Sequence, residues 1–284
     1  SINTACHMND AIHHAALAIS LDKRSRHLRK MAVKTLESGK RAHLGSAMSI
    51  VEIIRVLYDD FLKIDPNNPK DPQRDRFILS KGHGCLAQYV VLADKGFFDK
   101  KELLKFCHAD SILGGHPEFG KIPGVEASTG ALGHGMPIGV GMALAAKLQN
   151  RNSRVVVIIG DGETNEGSIW EAAMSAAKHK LSNLIVFIDY NKIQSYGFVS
   201  EVLNPEPMVD KWRSFGFVVQ EINGHDVSEL KKQLSNLPYD SKKPTAFICH
   251  TIKGKGFPFA ENDPSWHHKS NLSEVEIQKM YDSI

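Results

Sequence analysis

The chain has 284 residues, 42% of them hydrophobic, and a formal net charge of +3. This length can bury one large α/β core or two smaller ones, and so small and scattered a positive charge does not favour nucleic-acid binding. The four cysteines have no CxxC spacing and no apolar run is long enough to span a bilayer, so the sequence predicts a reduced, cytoplasmic chain.

The first third of the chain is predicted to be mostly helical. Helical periodicity covers residues 10–38 and stops at Gly39, and Ser49 with Glu52 has the spacing of a capping box for a helix over 50–62. The remaining predictions are a short strand over 76–80 that runs into a glycine turn, helices over 86–95 and 100–108, and a solvated basic face formed by Lys23, Arg24, Arg26, Arg29 and Lys30.

Residues 114–135 form a long, glycine-rich connection, which indicates a segment that lines a site. The helix predicted over 136–148 has Gly135, Gly139 and Ala143 along one smooth face. Such a face suits either tight packing within this chain or the close approach of a cofactor or partner helix, and the sequence supports the two equally.

The stretch 155–197 is predicted to be a βαβ unit. Five β-branched residues at 155–159 indicate a buried strand, 168–180 an alanine-rich helix, and 184–188 a second strand. Asp161 and Asn191 follow the carboxyl ends of these strands, where open α/β sheets bind ligands. A carboxylate and an amide beside glycines suit a hard cation that carries a diphosphate, although Asp161 could instead cap the next helix.

Helices and strands continue to alternate towards the end of the chain. Strands are predicted over 217–222 and 245–251, with a helix over 228–234 between them, and Ser273 with Glu276 has the spacing of a capping box for a helix ending near residue 281. The alternation predicts an α/β fold, a doubly wound parallel sheet flanked by helices.

Four glycine-containing turns each present a histidine: His43, His83, His116 and His267. A single such histidine is more often structural, but α/β folds gather their strand-end loops at one edge, where the four would meet. The absence of HxxxH, HExxH and CxxC spacings disfavours zinc. Lys253 and Lys255, in a further glycine turn, are either phosphate-facing or solvated.

The motif that joins Gly160-Asp161-Gly162 to Asn191 resembles the thiamine-diphosphate motif. The turns at 41–45, 76–84, 115–117, 130–135 and 250–256 resemble those of transketolase, in the same order, and the resemblance extends over residues 27–266. It includes three departures: Leu44 stands where the family has proline, His134 where it has glutamine and His268 where it has glycine.

Only the first of the three transketolase domains is represented. The resemblance therefore implies the N-terminal, diphosphate-binding subunit of a split transketolase, completed by a separately encoded C-terminal subunit in an α2β2 heterotetramer, although a truncated full-length enzyme would look similar. Residues 9–284 would be a single diphosphate-binding domain with an N-terminal helical extension and a C-terminal helix, and residues 1–8 a cloning remnant.

The resemblance also implies an activity, the transfer of a two-carbon ketol unit from a ketose phosphate to an aldose phosphate, and a role for individual residues. Mg²⁺, or Ca²⁺ or Mn²⁺ in its place, would be held by Asp161, Asn191 and the Ile193 carbonyl. Catalytic roles fall to His43, His116 and His267, cofactor contacts to His83, Gly130, Leu132, Gly160, Asp161, Gly162, Glu163, Asn191 and His267, and an interface or proton-relay role to Glu166 and Glu171.

Three other functions compete with this one. The α-subunit of a 2-oxo-acid dehydrogenase shares the motif but fits the histidine turns less well. A non-catalytic paralogue would keep the fold, and the intact Asp161 and Asn191 pair argues against it. A nicotinamide enzyme lacks its GxGxxG fingerprint here.

Overall fold

The computed structural model describes residues 2–195 and 197–284, with side chains from residue 10 onward. Ser1 lies outside the described residues and helix α1, Ile2–Ala18, includes residues 2–8, so their interpretation as a cloning remnant stays a prediction. No helix within the described ranges is both long and apolar enough to cross a membrane.

A parallel five-stranded sheet in the order β1-β2-β3-β7-β6 forms the centre of the protein. A two-stranded antiparallel hairpin, β4 with β5, follows β3. The strands are β1 (Arg76–Leu79), β2 (Val155–Gly160), β3 (Leu184–Tyr190), β4 (Ile193–Gln194), β5 (Gly197–Phe198), β6 (Val218–Asn223) and β7 (Thr245–His250).

Helices cover both faces of this sheet, because β2 and β3 send alternate side chains into two separate cores. Val156 and Ile158 pack into one core, and Val155, Val157 and Ile159 pack into the other. The doubly wound α/β fold predicted from the sequence is therefore confirmed. After α1, the helices are α2 (Lys23–Gly39), α3 (Leu44–Met48), α4 (Val51–Val56), α5 (Cys85–Asp94), α6 (Gly135–Leu148), α7 (Gly167–Lys178), α8 (Val199–Val202), α9 (Met208–Ser214), α10 (Val227–Ser235) and α11 (Glu274–Asp282).

The helix predicted over 10–38 is two helices. The chain leaves α1 after Ala18, and the Asp22 side chain caps α2 by accepting a 2.8 Å hydrogen bond from the Ser25 amide. The prediction of a solvated basic face was wrong at one position, because Arg29 is fully buried and pairs with Glu52. Lys40, in a left-handed conformation, ends α2 directly after Gly39, as predicted.

Ser49 and Glu52 do not form the predicted capping box. Ser49 Oγ donates to Asp189 in β3 at 2.6 Å, and Glu52 pairs with Arg29 on α2, so both side chains make tertiary contacts instead. The helix predicted over 50–62 is α4 followed by a π-helical segment, Leu57–Phe61. The helix predicted over 100–108 is a 3₁₀ segment, Lys100–Lys105. The capping box of Ser273 and Glu276 is confirmed at α11.

The smooth face of α6 packs against the sheet of its own chain. A Cβ at Gly139 would come within 2.5 Å of Val157 Cγ2, and one at Gly135 within 2.6 Å of Ser80 Cα. These contacts favour the intrachain interpretation, because the glycines bring the helix backbone directly onto β1 and β2.

Candidate active site

A cavity of about 220 Å³ lies at the carboxyl edge of the sheet, where β1, β2, β3 and β7 end. The parallel register aligns these ends, so the turn that follows each strand contributes to one site. Every residue that the sequence assigned to metal, cofactor or catalysis lines this cavity: His43, His83, His116, Gly130, Leu132, Gly160, Asp161, Gly162, Glu163, Asn191, Ile193 and His267. Their individual roles remain predictions.

Asp161 begins the turn after β2, and backbone amides orient its carboxylate. Its Oδ1 accepts from the Gly162 amide at 2.7 Å and its Oδ2 from the Lys192 amide at 2.6 Å. Burial, together with the negative charge of Asp189, raises the pKa of Asp161. A bound cation would stabilise the ionised carboxylate of Asp161 and lower this pKa.

Asn191 directly follows β3 and Ile193 begins β4, on either side of Lys192, whose amide donates to Asp161. Asn191 Oδ1 accepts from the Ile193 amide at 3.0 Å, while its Nδ2 donates to Asp189 at 3.0 Å. The amide oxygen is thereby fixed beside the cavity. No group of three or more His, Cys, Asp or Glu side chains suited to a metal occurs among the described residues, so one carboxylate and neutral oxygens form the candidate set.

Two buried lysines give the cavity its positive charge. Lys81 Nζ lies 2.5 Å from Asp189 and donates to the Ser46 carbonyl at 2.9 Å. Burial opposes ionisation of Asp189, but Lys81 and the hydroxyl groups of Ser49 and Thr251 outweigh the effect of burial and hold the pKa of Asp189 below its usual value. Lys81 is thus partly neutralised by Asp189.

Lys253 is the less neutralised of the two. Its Nζ donates to the Ile193 carbonyl at 3.0 Å and to His267 Nδ1 at 2.6 Å, and neither partner is an anion. Burial and the nearby charge of Lys81 lower the pKa of Lys253. An anionic ligand would favour its charged form. Lys255, by contrast, points away and donates to the Leu17 carbonyl at 2.8 Å.

The histidines form a contiguous cluster with His43 at its centre. Its ring centroid lies 5.3 Å from those of His83 and His267 and 6.1 Å from that of His116. Burial is the main cause that lowers the pKa of His43 to about 4 and of His267 to about 3, and it lowers the pKa of His83 well below 6.5. At neutral pH these three rings are therefore uncharged.

The Glu163 carboxylate makes a set of hydrogen bonds within the cavity wall. Its carboxylate accepts from Ser80 Oγ at 3.0 Å and from the Gly133 amide at 3.1 Å, and burial raises its pKa to about 7. It thereby ties the turns after β1 and β2 to the long glycine-rich connection. This contact set explains its position without requiring direct contact with a ligand.

The residues at the three departures lie in different places. Leu44 is buried in α3, and His134 is exposed, with its ring bonded to the Leu132 carbonyl. His268 packs against His43 at 4.6 Å and lines a second cavity of about 270 Å³, which also includes Arg41, Phe106 and Cys107. The two cavities share His43, His83 and His116.

Glu166 and Glu171 lie outside the cavity. Both side chains are exposed, Glu166 at the N-cap of α7 and Glu171 one turn further. They are therefore accessible to a partner, and their interface or relay role stays a prediction.

The cavity wall fits an anionic cofactor. Gln194 Nε2, on the wall, is buried and has no hydrogen-bond acceptor among the described residues. Together with Lys253 it offers donors to an anion, next to the oxygens of Asp161, Asn191 and Ile193. A diphosphate that shares a cation with those oxygens would satisfy both sets.

The sequence did not single out Lys81, Asp189, Ser46 or Gln194. Lys81 and Asp189 stood inside recognised motifs, directly before the glycine turn and before Tyr190-Asn191, which is the one signal available. Their role depends on pairing across two strands, β1 and β3, that are not adjacent in the sheet.

The fold and this cavity define a parallel α/β protein with a polar ligand site at its strand ends. A family model described as transketolase, thiamine diphosphate binding domain, matches residues 22–283. The chain belongs to the transketolase family and corresponds to its thiamine-diphosphate-binding domain. The resemblance inferred from the histidine and glycine turns is confirmed.

Curated relatives of similar length are named as transketolase subunits. An apulose-4-phosphate transketolase subunit of Actinobacillus succinogenes is 43% identical over 90% of this chain and 94% of its own length. A 6-deoxy-6-sulfo-D-fructose transketolase subunit of a Clostridium species is 39% identical over the same shares, 90% and 94%. These names match the predicted N-terminal subunit of a split transketolase and favour it over the α-subunit of a 2-oxo-acid dehydrogenase.

Full-length transketolases extend well beyond this chain. The transketolase of Leishmania mexicana superposes with a TM-score of 0.85 and 32% identity, over 92% of this chain and 41% of its own. That of Campylobacter jejuni gives 0.84 and 32%, over 92% and 42%. The chain thus spans about two fifths of the solved transketolases that it matches.

Proposed function

We propose that this chain is the thiamine-diphosphate- and Mg²⁺-binding subunit of a split transketolase, which transfers a two-carbon ketol unit between sugars. One observation carries the proposal: Asp161, Asn191, the Ile193 carbonyl and the Lys253 ammonium converge on one cavity. Ca²⁺ or Mn²⁺ could replace Mg²⁺, since all three accept oxygen ligands.

The residues of this chain would hold the cofactor by its charged end. Asp161, Asn191 and the Ile193 carbonyl would ligate the cation, and Lys253 and Gln194 would donate to the diphosphate. When bound, thiamine diphosphate supplies the carbon nucleophile and electron sink that ketol transfer requires.

The histidine cluster would then serve the sugar. Because burial keeps His43 and His267 neutral, each ring can donate from one nitrogen and accept at the other. His267 Nδ1 accepts from Lys253, which places its proton on Nε2. Neutral rings that share one cavity can exchange protons with sugar hydroxyls and a carbonyl oxygen.

Cofactor binding is tested at Asp161. Asp161→Ala removes the charged ligand, so affinity for Mg²⁺–thiamine diphosphate is expected to fall about 10- to 100-fold or more, as loss of a charge-assisted contact implies. Calorimetry with this chain and its second subunit present measures it. Asp75→Asn is the matched control, since Asp75 is equally buried but lies at the opposite edge, bonded to Arg154.

Unchanged affinity in Asp161→Ala would refute the metal assignment. Equal losses in the two variants would indicate damage to the fold instead of the site, and would equally contradict the assignment.

The second subunit is expected to be essential. The curated relatives called subunits imply such a partner for those proteins, and we propose an α2β2 assembly with it. The lack of disulfide-type cysteine spacing fits a location in the reducing cytoplasm. Ketol transfer should therefore require this chain, the partner, thiamine diphosphate and Mg²⁺ together. Transfer by this chain alone would contradict the proposal.

The proposed sugar substrates are defined as a chemical class and not as individual sugars. The two named relatives act on different ketoses according to their names, one phosphorylated and one sulfonated, so we propose an anionic ketose as the donor. Arg41, at the second cavity, supplies a cation that suits such a group. Assays with matched phosphorylated and unphosphorylated ketoses test this, and a preference for the neutral sugar would contradict it.

A further inference from the structure

A buried polar network lies behind the cavity, formed by Arg29 on α2, Glu52 on α4 and His225 after β6. The Arg29 guanidinium donates to both Glu52 oxygens, at 2.7 Å and 2.9 Å. His225 Nδ1 lies 2.7 Å from Glu52 Oε1. The three side chains are at most 3% exposed, so their polar atoms depend on one another.

Both ends of the network reach the same loop backbone. His225 Nε2 accepts from the Ile252 amide at 2.9 Å, and Arg29 Nε donates to the Lys255 carbonyl at 2.8 Å. Lys253 lies between these two anchor points. Within the described part of the chain, no hydrogen bond joins the network to Lys253 itself, so any influence on that side chain passes through the backbone.

The loop needs such anchors because its own conformation is unusual. Gly254 has a φ of +82°, and a Cβ there would come within 2.5 Å of the Ala260 carbonyl oxygen. A glycine beside Lys253 makes the backbone permissive. Fixing one residue before and two residues after Lys253 restricts where its ammonium can lie.

The chemistry of the network explains the direction of each bond. His225 accepts at Nε2, so its proton is on Nδ1, where Glu52 accepts it. Glu52 in turn is fixed by the Arg29 fork.

The loop is also held by backbone bonds, since the Gly254 amide donates to the Gly45 carbonyl at 3.1 Å and the Lys253 carbonyl accepts from the Asn262 amide at 2.9 Å. Removing either end of the network takes away one of the two side-chain anchors that flank Lys253.

We propose that His225 and Arg29 are positioning residues, which hold the Lys253 ammonium in the cavity for the diphosphate through the Ile252 amide and the Lys255 carbonyl. The nature of the ligand rests on the proposed function, whereas the positioning itself does not.

Two substitutions at His225 separate positioning from stability. The amide of Gln reaches the place of Nε2 and can still accept from Ile252, whereas the amide of Asn lies near Nδ1 and can only bond Glu52. Both lose one buried hydrogen bond, so similar losses of stability are expected. Affinity of the full chain, with its partner subunit, for Mg²⁺–thiamine diphosphate should fall about tenfold in His225→Asn and less than about threefold in His225→Gln.

A second pair of variants covers the case in which His225→Asn does not fold. Arg29→Lys keeps a cation for Glu52 but cannot also donate to the Lys255 carbonyl, so a loss of affinity is again expected. Asp59→Asn is the control for Arg29→Lys. Asp59 pairs at 2.8 Å with Arg24, which lies on α2 as Arg29 does, and among the described residues no hydrogen bond joins Asp59 to the loop. Asp59→Asn should change stability without changing affinity.

The tautomer of the His267 ring gives a readout that needs no cofactor. Its Nδ1 accepts from Lys253, so ¹⁵N NMR of the ligand-free full chain should show the Nε2–H tautomer in wild type and in His225→Gln. A mixture of tautomers is expected in His225→Asn and in Arg29→Lys.

These measurements distinguish failure of the positioning role from failure of the proposed function. If wild type fails to bind Mg²⁺–thiamine diphosphate but the tautomer responds as stated, the proposed function fails and the positioning role stands. If affinity and tautomer follow stability alone, with Asn and Gln variants alike or with Asp59→Asn equal to Arg29→Lys, the positioning role is overturned.

Discussion

At the scale of single residues, the two buried lysines have different tasks. Lys81 is paired with the buried Asp189, while the hydrogen-bond partners of Lys253 among the described residues are neutral, so an anionic ligand would favour its charged form. Lys253→Met should therefore weaken Mg²⁺–thiamine diphosphate binding about 10- to 100-fold, the effect of one charge-assisted contact. Isothermal titration measures it.

Lys255→Met is the matched control, because Lys255 is also buried, lies two residues away and bonds α1 instead of the cavity. Its affinity should stay within about twofold of wild type. A larger loss in Lys255→Met than in Lys253→Met would contradict the assignment of the positive charge to Lys253.

His268 is predicted to shape the second cavity. Its ring packs on His43 and occupies space that glycine would leave open. His268→Gly should leave cofactor affinity unchanged but shift the ratio of kcat/KM between a longer and a shorter ketose by about tenfold, as a changed pocket volume implies. An unchanged ratio would show that His268 does not contact the sugar.

The candidate site was largely predictable from the sequence, because its residues occur in glycine turns at strand ends. Such turns are local, and parallel strands bring them to one edge. Asp189 and Lys81 were missed for the opposite reason: their pairing crosses β2, and only the folded sheet shows that burial forces them together.

At the scale of elements, α6 offers a matched test of close helix packing. Gly139→Ala would place its Cβ within 2.5 Å of Val157 Cγ2 and should destabilise the protein by about 1–3 kcal/mol. Gly141→Ala, in the same helix, meets no atom within 4 Å and should stabilise it by about 0.5–1 kcal/mol. Denaturant unfolding measures both.

The two substitutions share their helix and their chemistry, so only packing distinguishes them. Similar effects at Gly139 and Gly141 would contradict the packing of α6 on β1 and β2.

The five strands of the parallel sheet were predicted within two residues at each end, as were α5, α6, α7, α10 and α11, since their periodicity is local. The short hairpin of β4 and β5 and the helices α3, α8 and α9 were not predicted. The errors lie where tertiary contacts outweigh local signals. Ser49 bonds Asp189 instead of capping its helix, and Arg29 turns inward because Glu52 is available to pair with it. A basic residue on a helix gives no local sign of such a partner.

At the scale of the whole molecule, stability should depend on pH through His225. Burial lowers its pKa below 6.5, although Glu52 opposes this, and Arg29 and Lys255 add to the lowering. The native state therefore holds His225 neutral while the unfolded chain protonates it below about pH 6.5. Its contribution to the free energy of unfolding is complete above that pH and is lost as pH falls towards the folded pKa.

Comparison with His225→Gln isolates this effect, because glutamine does not titrate. The difference in unfolding free energy between wild type and variant should be largest near pH 7.5 and shrink on acidification, by at most about 1.4 kcal/mol per pH unit below 6.5. Denaturant titrations at pH 7.5, 6.5 and 5.5 measure it. A difference that grows in acid would mean that Glu52 outweighs burial and that His225 is charged in the folded protein, which would reverse the sign of its contribution.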